Sequence, residues 1–383
     1  MRGKNKALSD GRTAVKVRVD DRPDPWIVAV TAALVVCGLI FVFDTSYFFS
    51  VHNYGDGYRV VAKHVISILI GAAAMRVMAR CPSEWLERRA AWVLGASLAA
   101  LALTAIPGVA TCANGACRWI SLAGVFNFQP AEVAKVGFVI FTAAWLTRHA
   151  DRLRNVAYGL LPICALVGLI GVLLLLQPDF GTAVLVGALA IALMFLAGVP
   201  TWQLAGVASV GMAGAFFLIK MSPYRVRRFV CFLDPSADPL GVCWQLRQAL
   251  MAFGSGQLTG QGLGASTQKS GWLPEAHTDF IFSVIGEETG LVGAAVVFIG
   301  FAVLAVRGFR VAHRHPDMFG QMLAAGITLV IVMQAMLNMG VILGLLPTKG
   351  IGLPYISYGG SSVMVFLAST GLLMALSREL RER

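Results

Sequence analysis

The segment 273–282 contains the side chain best suited to acid–base chemistry in this chain. Its last acidic residue, Asp279, stands directly before the apolar run 280–282. A carboxylate at the mouth of an apolar helix is partly desolvated, which raises its pKa and suits it to proton transfer. A structural interpretation is also open, because Thr278 or Asp279 could cap the helix that follows.

Charged side chains also lie inside two apolar runs, where they are costly unless they face the protein interior. Glu132 and Lys135 are three residues apart and therefore share one helix face. We interpret them as an ion pair that holds helices together, with substrate contact as the alternative. Glu287 and Glu288 follow Asp279 by two helical turns. For Glu287, a hydrogen-bonded structural role is favoured over a second site residue or a metal ligand.

The composition indicates the class of protein that must position these residues. Of 383 residues, 57% are hydrophobic and 13% are charged, whereas a soluble domain carries roughly 25% charged residues. Apolar runs near 20 residues long predict an all-α, polytopic membrane protein. Soluble, disordered, collagen-like and disulfide-scaffold classes are thereby excluded. The net charge of +11 is explained by basic cytoplasmic loops rather than by nucleic-acid binding.

Ten apolar runs are predicted to form transmembrane helices within a membrane domain at 26–378. They lie at roughly residues 26–46, 60–79, 91–107, 133–147, 156–176, 182–200, 203–220, 280–306, 320–346 and 354–377. Arginines and lysines concentrate in the tail 1–25, in alternate connections and in the tail 379–383. The positive-inside rule therefore places both tails in the cytoplasm. The tail 1–25 is predicted to be flexible.

The connection 221–279 is the longest, and this topology places it outside the cytoplasm. It contains an apolar segment at 244–253 that is too short to span a membrane. We interpret that segment as an amphipathic or interfacial helix near the outer leaflet.

Seven cysteines leave at least one without a partner in the chain. Cys112 and Cys117, or Cys231 and Cys243, fall in predicted extracytoplasmic loops where a disulfide can form. The sequence does not decide whether either pair does so.

Several motifs of other functions do not occur. The chain has no GK[ST] phosphate loop, HExxH motif or CxxC pair, so ATPase, zinc-protease and zinc-ribbon functions have no support. No internal repeat was found, which argues against many secondary-transporter folds.

The polar motifs of the predicted outer face together resemble one known family. They lie at 117–120, 129–135, 177–182, 273–282, 338–340 and 346–362. The chain resembles the SEDS family (shape, elongation, division and sporulation), polytopic membrane glycosyltransferases that polymerise peptidoglycan from lipid II. The resemblance extends from Trp26 to Leu380. The segments 274–282 and 346–362 are more similar to the division branch of the family than to the elongation branch.

The resemblance implies a reaction for Asp279, which matches the acid taken to be catalytic in the family. A general base would deprotonate the 4-hydroxyl of the acceptor sugar, while the lipid diphosphate of the donor departs. Inversion at the donor sugar gives a β-linked product without a covalent intermediate. A second carboxylate is unnecessary because the leaving group scarcely requires protonation.

Cations must stabilise the departing diphosphate. Lys349 is the first candidate, Arg118 and Lys135 come next, and Arg225 and Arg228 follow. The alternative for each loop cation is simple solvation or contact with lipid headgroups.

Two further polar residues are candidates for the substrate site. His277 could tune Asp279 or titrate near neutral pH, although a loop histidine that only packs is the commoner case. Ser357 belongs to the hydroxyl-rich segment 355–362, whose two glycines permit a broken helix or a close backbone approach.

By resemblance, the expected partners are a class B penicillin-binding protein, which is a transpeptidase, and other division proteins of the bacterial inner membrane. A divalent cation, magnesium or manganese, is also implied, held jointly by the diphosphate and a carboxylate, without an organic cofactor. The sequence shows no complete ligand set for this metal. Two alternative functions are a lipid II flippase, with Glu132, Lys135, Glu287 and Glu288 as a polar path, and a division scaffold that docks through its tail and outer loop.

Overall fold

The computed structural model describes residues 5–7, 16–19, 22–106, 108–113, 116–122 and 126–381. α-Helices form most of this part of the chain. They are α1 (Pro25–Tyr54), α2 (Arg59–Met78), α3 (Ser83–Leu103), α4 (Pro130–Arg148), α5 (Val156–Gly159), α6 (Leu161–Leu176), α7 (Phe180–Leu196), α8 (Thr201–Lys220), α9 (Pro223–Leu233), α10 (Trp244–Ser255), α11 (Ile281–Arg314), α12 (Met318–Ile342) and α13 (Gly360–Leu376).

Short polar side chains and glycine set the ends of several helices. At the start of α1, the Asp24 side chain accepts a hydrogen bond from the Trp26 N–H at 2.9 Å. The same helix ends at Gly55, whose φ of 70° is readily adopted only without a Cβ. At the start of α12, Asp317 accepts from the Gly320 N–H at 2.8 Å. These caps satisfy backbone groups that have no partner within the helix.

Each of the ten predicted spans coincides with helical structure, α5 and α6 together forming the fifth. Among the described residues, seven helical segments are long and apolar enough to cross a membrane. Two others, α7 and α13, are apolar but have only 17 residues each. The predicted all-α, multi-pass membrane protein is confirmed, while the count of ten spans stays a prediction.

The helices differ strongly in how much of their surface packs against the rest of the chain. Of the candidate spans, α4 and α12 are the most buried and α8 is the least. The most extensive helix–helix contacts are those of α2 with α13, α11 with α12, and α3 with α4. Because α12 lies at the centre of the bundle, side chains near its C-terminal end can reach the loops at that end of the bundle.

The helix α11 is broken at Gly290, where φ is 67° and ψ is −165°. A Cβ there would lie 2.4 Å from the Gly260 backbone nitrogen, so the position requires glycine. The carbonyls of Glu287 and Glu288, freed by the break, accept hydrogen bonds from the segment 257–262. The sequence predicted one continuous span, but this segment replaces the missing helical bonds and makes the break tolerable inside a membrane protein.

Two small antiparallel sheets accompany the helices, although the sequence predicted none. β3 (Ala110–Ala113), β4 (Ala116–Leu122) and β5 (Phe126–Phe128) form one sheet. The other consists of β1 (Asn5–Ala7), β2 (Lys16–Val19) and β6 (Glu379–Arg381).

The second sheet includes two stretches of the tail 1–25, which the sequence predicted to be flexible. Only residues 5–7, 16–19 and 22–25 of this tail are described. The stretches in β1 and β2 are extended and hydrogen-bonded instead, because they pair with each other and with the strand that follows α13. The remaining residues of the tail, 1–4, 8–15 and 20–21, lie outside the described residues, as do 382 and 383 of the predicted tail 379–383.

The long connection contains two helices, of which the sequence predicted one. The segment 244–253 is helical, as expected, and forms most of α10, which packs Leu246 and Ala249 into the protein beside α11. Its predicted place near the outer leaflet stays a prediction. The additional helix α9 has its arginines interleaved with apolar residues, so no uninterrupted apolar run marked it in the sequence.

Both cysteine pairs left open by the sequence form disulfides. Cys112–Cys117 joins β3 to β4, and Cys231–Cys243 joins α9 to the start of α10. The second disulfide therefore fixes the two helices of the long connection to each other.

Candidate active site

Asp279 lies in the loop immediately before α11. No side chain caps the start of this helix, and the Thr278 hydroxyl donates instead to Glu275 Oε2 at 2.8 Å. The helix-cap interpretation of Thr278 and Asp279 is therefore wrong. The Asp279 side chain is partly buried and makes no ion pair within the described part of the chain, so its carboxylate is free to exchange a proton.

The surroundings of Asp279 shift its proton affinity. Burial raises the pKa of its carboxyl to about 7, and the negative charges of Glu275 and Asp179 also raise it. The guanidinium groups of Arg118 and Arg228 lower it in part. A carboxyl with this pKa exchanges its proton near neutral pH, which is what a general base requires.

Arg118 is held beside Asp279 by backbone carbonyls rather than by a carboxylate. Its Nε donates to the Gln177 carbonyl oxygen at 3.1 Å, and its Nη2 donates to that of Pro178. A Cβ placed on Gly350 would lie 3.3 Å from Asp279 Oδ2 and 3.6 Å from Arg118 Nη1. The Gly350 backbone thus lies against both the acid and the arginine, and a larger residue there would crowd them.

Lys349 precedes this glycine and is also a charge without an ion pair among the residues described. It is partly buried; burial lowers the pKa of its ammonium, while the charge of Asp179 raises it. Asp179 itself is committed to the start of α7, where it accepts from the N–H and hydroxyl of Thr182 at 3.2 and 2.8 Å. The lysine therefore remains available to an anionic ligand.

The two arginines of α9 extend this cationic region. Arg228 Nη1 donates to the Thr348 carbonyl oxygen at 3.3 Å, one residue before Lys349. Arg225 donates to the Leu218 carbonyl oxygen at 3.0 Å, and its guanidinium lies 5.3 Å from the centre of the Phe180 ring. Arg228 therefore contacts the backbone next to Lys349 and lies close enough to Asp279 for its charge to lower that pKa. Arg225 lies beside the start of α7 instead.

Glu132 and Lys135 form the ion pair that their spacing predicted, with 3.0 Å between Lys135 Nζ and Glu132 Oε2. Lys135 also donates to Gln334, and its ammonium lies 5.4 Å from the centre of the Phe366 ring. Both charged residues are buried. The contacts of Lys135 join α4 to α12 and α13. This is the role predicted from the sequence, in which the ion pair holds helices together.

Glu287 is fully engaged by the loop that precedes the site. Its carboxylate accepts from the Ser266 hydroxyl at 2.5 Å and from the N–H and hydroxyl of Thr267 at 3.1 and 3.0 Å. These bonds fasten the loop at residues 266 and 267 to α11 through Glu287. They do not bring Glu287 into contact with Asp279.

Glu288 belongs to a second group of charged residues, which we call the buried clasp: Lys269 and Glu288, both buried, and Asp44, which is partly buried. Lys269 Nζ lies 2.6 Å from Asp44 Oδ1 and 2.8 Å from Glu288 Oε1. Asp44 was not predicted from the sequence as a functional residue, although an acid inside the first apolar run was a visible signal. The clasp joins α1 and α11 to the loop that leads to Asp279.

His277 and Ser357 shape the loops around the site. The His277 ring packs 4.8 Å from that of Phe49 and 5.6 Å from that of Tyr358, and burial lowers its pKa, so it is neutral at neutral pH. The Ser357 hydroxyl accepts from the Leu353 N–H at 2.7 Å. Both candidates thus have structural contacts that engage their side chains.

The described residues contain no group of three or more histidine, cysteine, aspartate or glutamate side chains that could hold a metal ion. The side chains of the described residues therefore do not form a complete divalent-cation site by themselves. The positive charges that act on Asp279 are the guanidinium groups of Arg118 and Arg228.

The chain is similar in sequence to one known protein family over nearly its whole length. The profile of the cell cycle protein family named for FtsW, RodA and SpoVE matches residues 25–382. The "Probable peptidoglycan glycosyltransferase FtsW" of Thioalkalivibrio sulfidiphilus is 40% identical over 97% of this chain and 94% of the relative. Its namesake in Halorhodospira halophila is 42% identical over 93% of this chain and 90% of that protein.

Solved structures agree with the sequence relatives. A chain from a study of polymerization and crosslinking by a peptidoglycan synthase complex has a TM-score of 0.75 and 28% identity, covering 93% of this chain and 98% of its own length. The rod shape determining protein RodA of Thermus thermophilus has a TM-score of 0.69 and 28% identity, with 93% and 97% covered. This chain belongs to the FtsW, RodA and SpoVE family of cell cycle proteins.

Proposed function

We propose that this chain is a peptidoglycan glycosyltransferase that polymerises lipid II into β-1,4-linked glycan strands during septal wall synthesis, with Asp279 as general base. The observation that carries the proposal is the position of Asp279. Its partly buried carboxylate has a pKa raised to about 7 and neither caps α11 nor forms an ion pair in the described ranges. The relatives named for this activity support the same reaction.

The reaction needs one proton acceptor and a cationic region. Asp279 takes the proton of the acceptor 4-hydroxyl as that oxygen attacks the anomeric carbon of the donor. The bond between this carbon and the diphosphate oxygen breaks, and the diphosphate leaves with the electron pair. Lys349, Arg118 and Arg228 stabilise its charge. The attack inverts the α-linked donor to a β-linked product.

The partner of this enzyme is a class B penicillin-binding protein, which cross-links the strands, together with other division proteins. The match to a chain from a peptidoglycan synthase complex supports such an assembly. In this proposal both termini lie in the cytoplasm, as the distribution of basic residues favours, and the site faces the outer side of the bacterial inner membrane at the septum. The divalent cation implied by the resemblance would need the substrate diphosphate to complete its ligands.

No observation favours the flippase alternative. Its polar path was to consist of Glu132, Lys135, Glu287 and Glu288, yet each of these side chains is engaged by another group of the protein. Nor does any contact favour a purely structural role in division, so the enzyme remains the proposal.

Polymerisation of labelled lipid II by the purified protein with its transpeptidase partner tests the proposal. Wild type is expected to make glycan chains, whereas Asp279→Asn and Asp279→Ala should lose at least about a thousandfold in rate, because the base is gone. Asp234→Asn is the matched control, since Asp234 is an exposed acid of the same connection.

Folding and partner binding are measured for each variant by melting temperature and co-purification. A control at the wild-type rate, with both Asp279 variants folded but inactive, is the expected result. If both variants polymerise like wild type, Asp279 is not the base. If wild type makes no glycan but moves lipid II across liposomes, the flippase replaces the enzyme.

A further inference from the structure

Asn338, near the outer end of α12, contacts both sides of the proposed site. Its Nδ2 donates to the carbonyl oxygen of Asp279 and to that of Ile351, each at 2.8 Å. The side chain is buried, with 3% of the residue exposed. One amide group therefore ties the backbone of the acid to the loop that carries Lys349, two residues before Ile351.

Gln334 repeats this arrangement one helical turn earlier on the same face of α12. Its Nε2 donates to the Gly352 carbonyl oxygen at 3.0 Å, and its Oε1 accepts from Lys135 of the buried ion pair. Two amide side chains thus hold the consecutive carbonyls of Ile351 and Gly352. The loop is fastened to the most buried part of the helix bundle.

The chemistry of the position favours asparagine. Buried backbone carbonyls need hydrogen-bond donors, and an amide nitrogen offers two N–H groups. A leucine of similar size offers none, and an aspartate would bring a second negative charge toward Asp279. Within the described part of the chain the Asn338 Oδ1 has no hydrogen-bond partner, so the residue acts through its two N–H donors.

We propose that Asn338 is a positioning residue that fixes the separation between the base Asp279 and the phosphate-binding cation Lys349. The inference rests on the proposed function, because it assigns the distance between two groups of that reaction. Misplacing reacting groups by about 1 Å can cost roughly a hundredfold in rate. A single amide that holds both groups is therefore expected to affect turnover more than substrate affinity.

The test is the polymerisation kinetics of Asn338→Leu with the partner present. We expect kcat to fall at least about tenfold while KM for lipid II changes less than about threefold. Met339→Leu is the matched control, because it changes a buried neighbour of the same helix at nearly constant volume. This control should stay within about twofold of wild type.

A double-mutant cycle with Lys349→Ala separates positioning from general destabilisation. If Asn338 acts by placing Lys349, the double variant loses less than the product of the two single losses, because a misplaced lysine contributes little. Additive losses would overturn the proposal, and so would wild-type kinetics of folded Asn338→Leu. Should Asn338→Leu fail to fold, Asn338→Ala goes through the same cycle with the same criteria.

Asp279→Asn in the same assay distinguishes the two levels of failure. If it is inactive while Asn338→Leu behaves like wild type, only the positioning role is wrong. If Asp279→Asn polymerises normally, the proposed base is wrong, whatever Asn338 does.

Discussion

The loop charges around Asp279 and the buried clasp have similar side chains but opposite surroundings. In the clasp, Lys269 lies within 2.8 Å of both Asp44 and Glu288. Asp279 and Lys349 have no such ion pair among the described residues, and burial shifts the pKa of each toward neutrality. A charge already neutralised by the protein holds the fold, whereas an unpaired charge at a loop is available to substrate.

The largest expected effect comes from breaking the clasp. Lys269→Met should lose about 3–5 kcal/mol of unfolding free energy, because it leaves the buried carboxylate of Glu288 and the partly buried one of Asp44 without their cation. Melting curves in detergent or nanodiscs measure this loss. The double variant Lys269→Met/Asp44→Asn should recover part of it. An unchanged melting temperature for the single variant would show that the clasp does not stabilise the protein.

A smaller effect is expected from the unpaired lysine. Lys349→Ala should lower kcat/KM for lipid II by about 10- to 100-fold, because a charge-assisted contact with the diphosphate disappears. Arg227→Gln, which removes an exposed cation from α9, should change kcat/KM less than about twofold. Equal losses in the two variants would mean that only net positive charge matters.

The smallest effect concerns the pH dependence of polymerisation. The base must be ionised, so activity should rise with pH through about 7, the pKa to which burial raises Asp279. The negative charge of Glu275 also raises the pKa of Asp279. Glu275→Gln should therefore lower the pKa of Asp279 and shift the acid limb of the rate profile to lower pH, by less than about one unit. A shift to higher pH would contradict the assignment.

Local patterns were sufficient to predict much of the molecule. The apolar runs gave the helical segments because each transmembrane helix must satisfy its own backbone. The spacing of Glu132 and Lys135 gave their ion pair, which depends on helical periodicity alone. Asp279 stood out by its place between a polar loop and an apolar run, and the structure gives it the raised pKa that this placement predicted.

Contacts between distant segments could not be predicted in the same way. Asp44 and Lys269 are 225 residues apart, and Asn338 is 59 residues from Asp279. No periodicity within one helix specifies such pairs, because they depend on how helices pack. The break at Gly290 was hidden for the same reason, since the segment that replaces its hydrogen bonds comes from another part of the chain.

One paired measurement separates the two kinds of charge most directly. Asp279→Asn and Glu288→Gln each remove one carboxylate charge near the start of α11, and both are assayed for lipid II polymerisation per folded molecule and for melting temperature. We expect Asp279→Asn to melt no lower than wild type and to make no glycan. Glu288→Gln should melt lower and keep its activity per folded molecule within about threefold. The reverse pattern would contradict the assignment of Asp279 to chemistry and of the clasp to the fold.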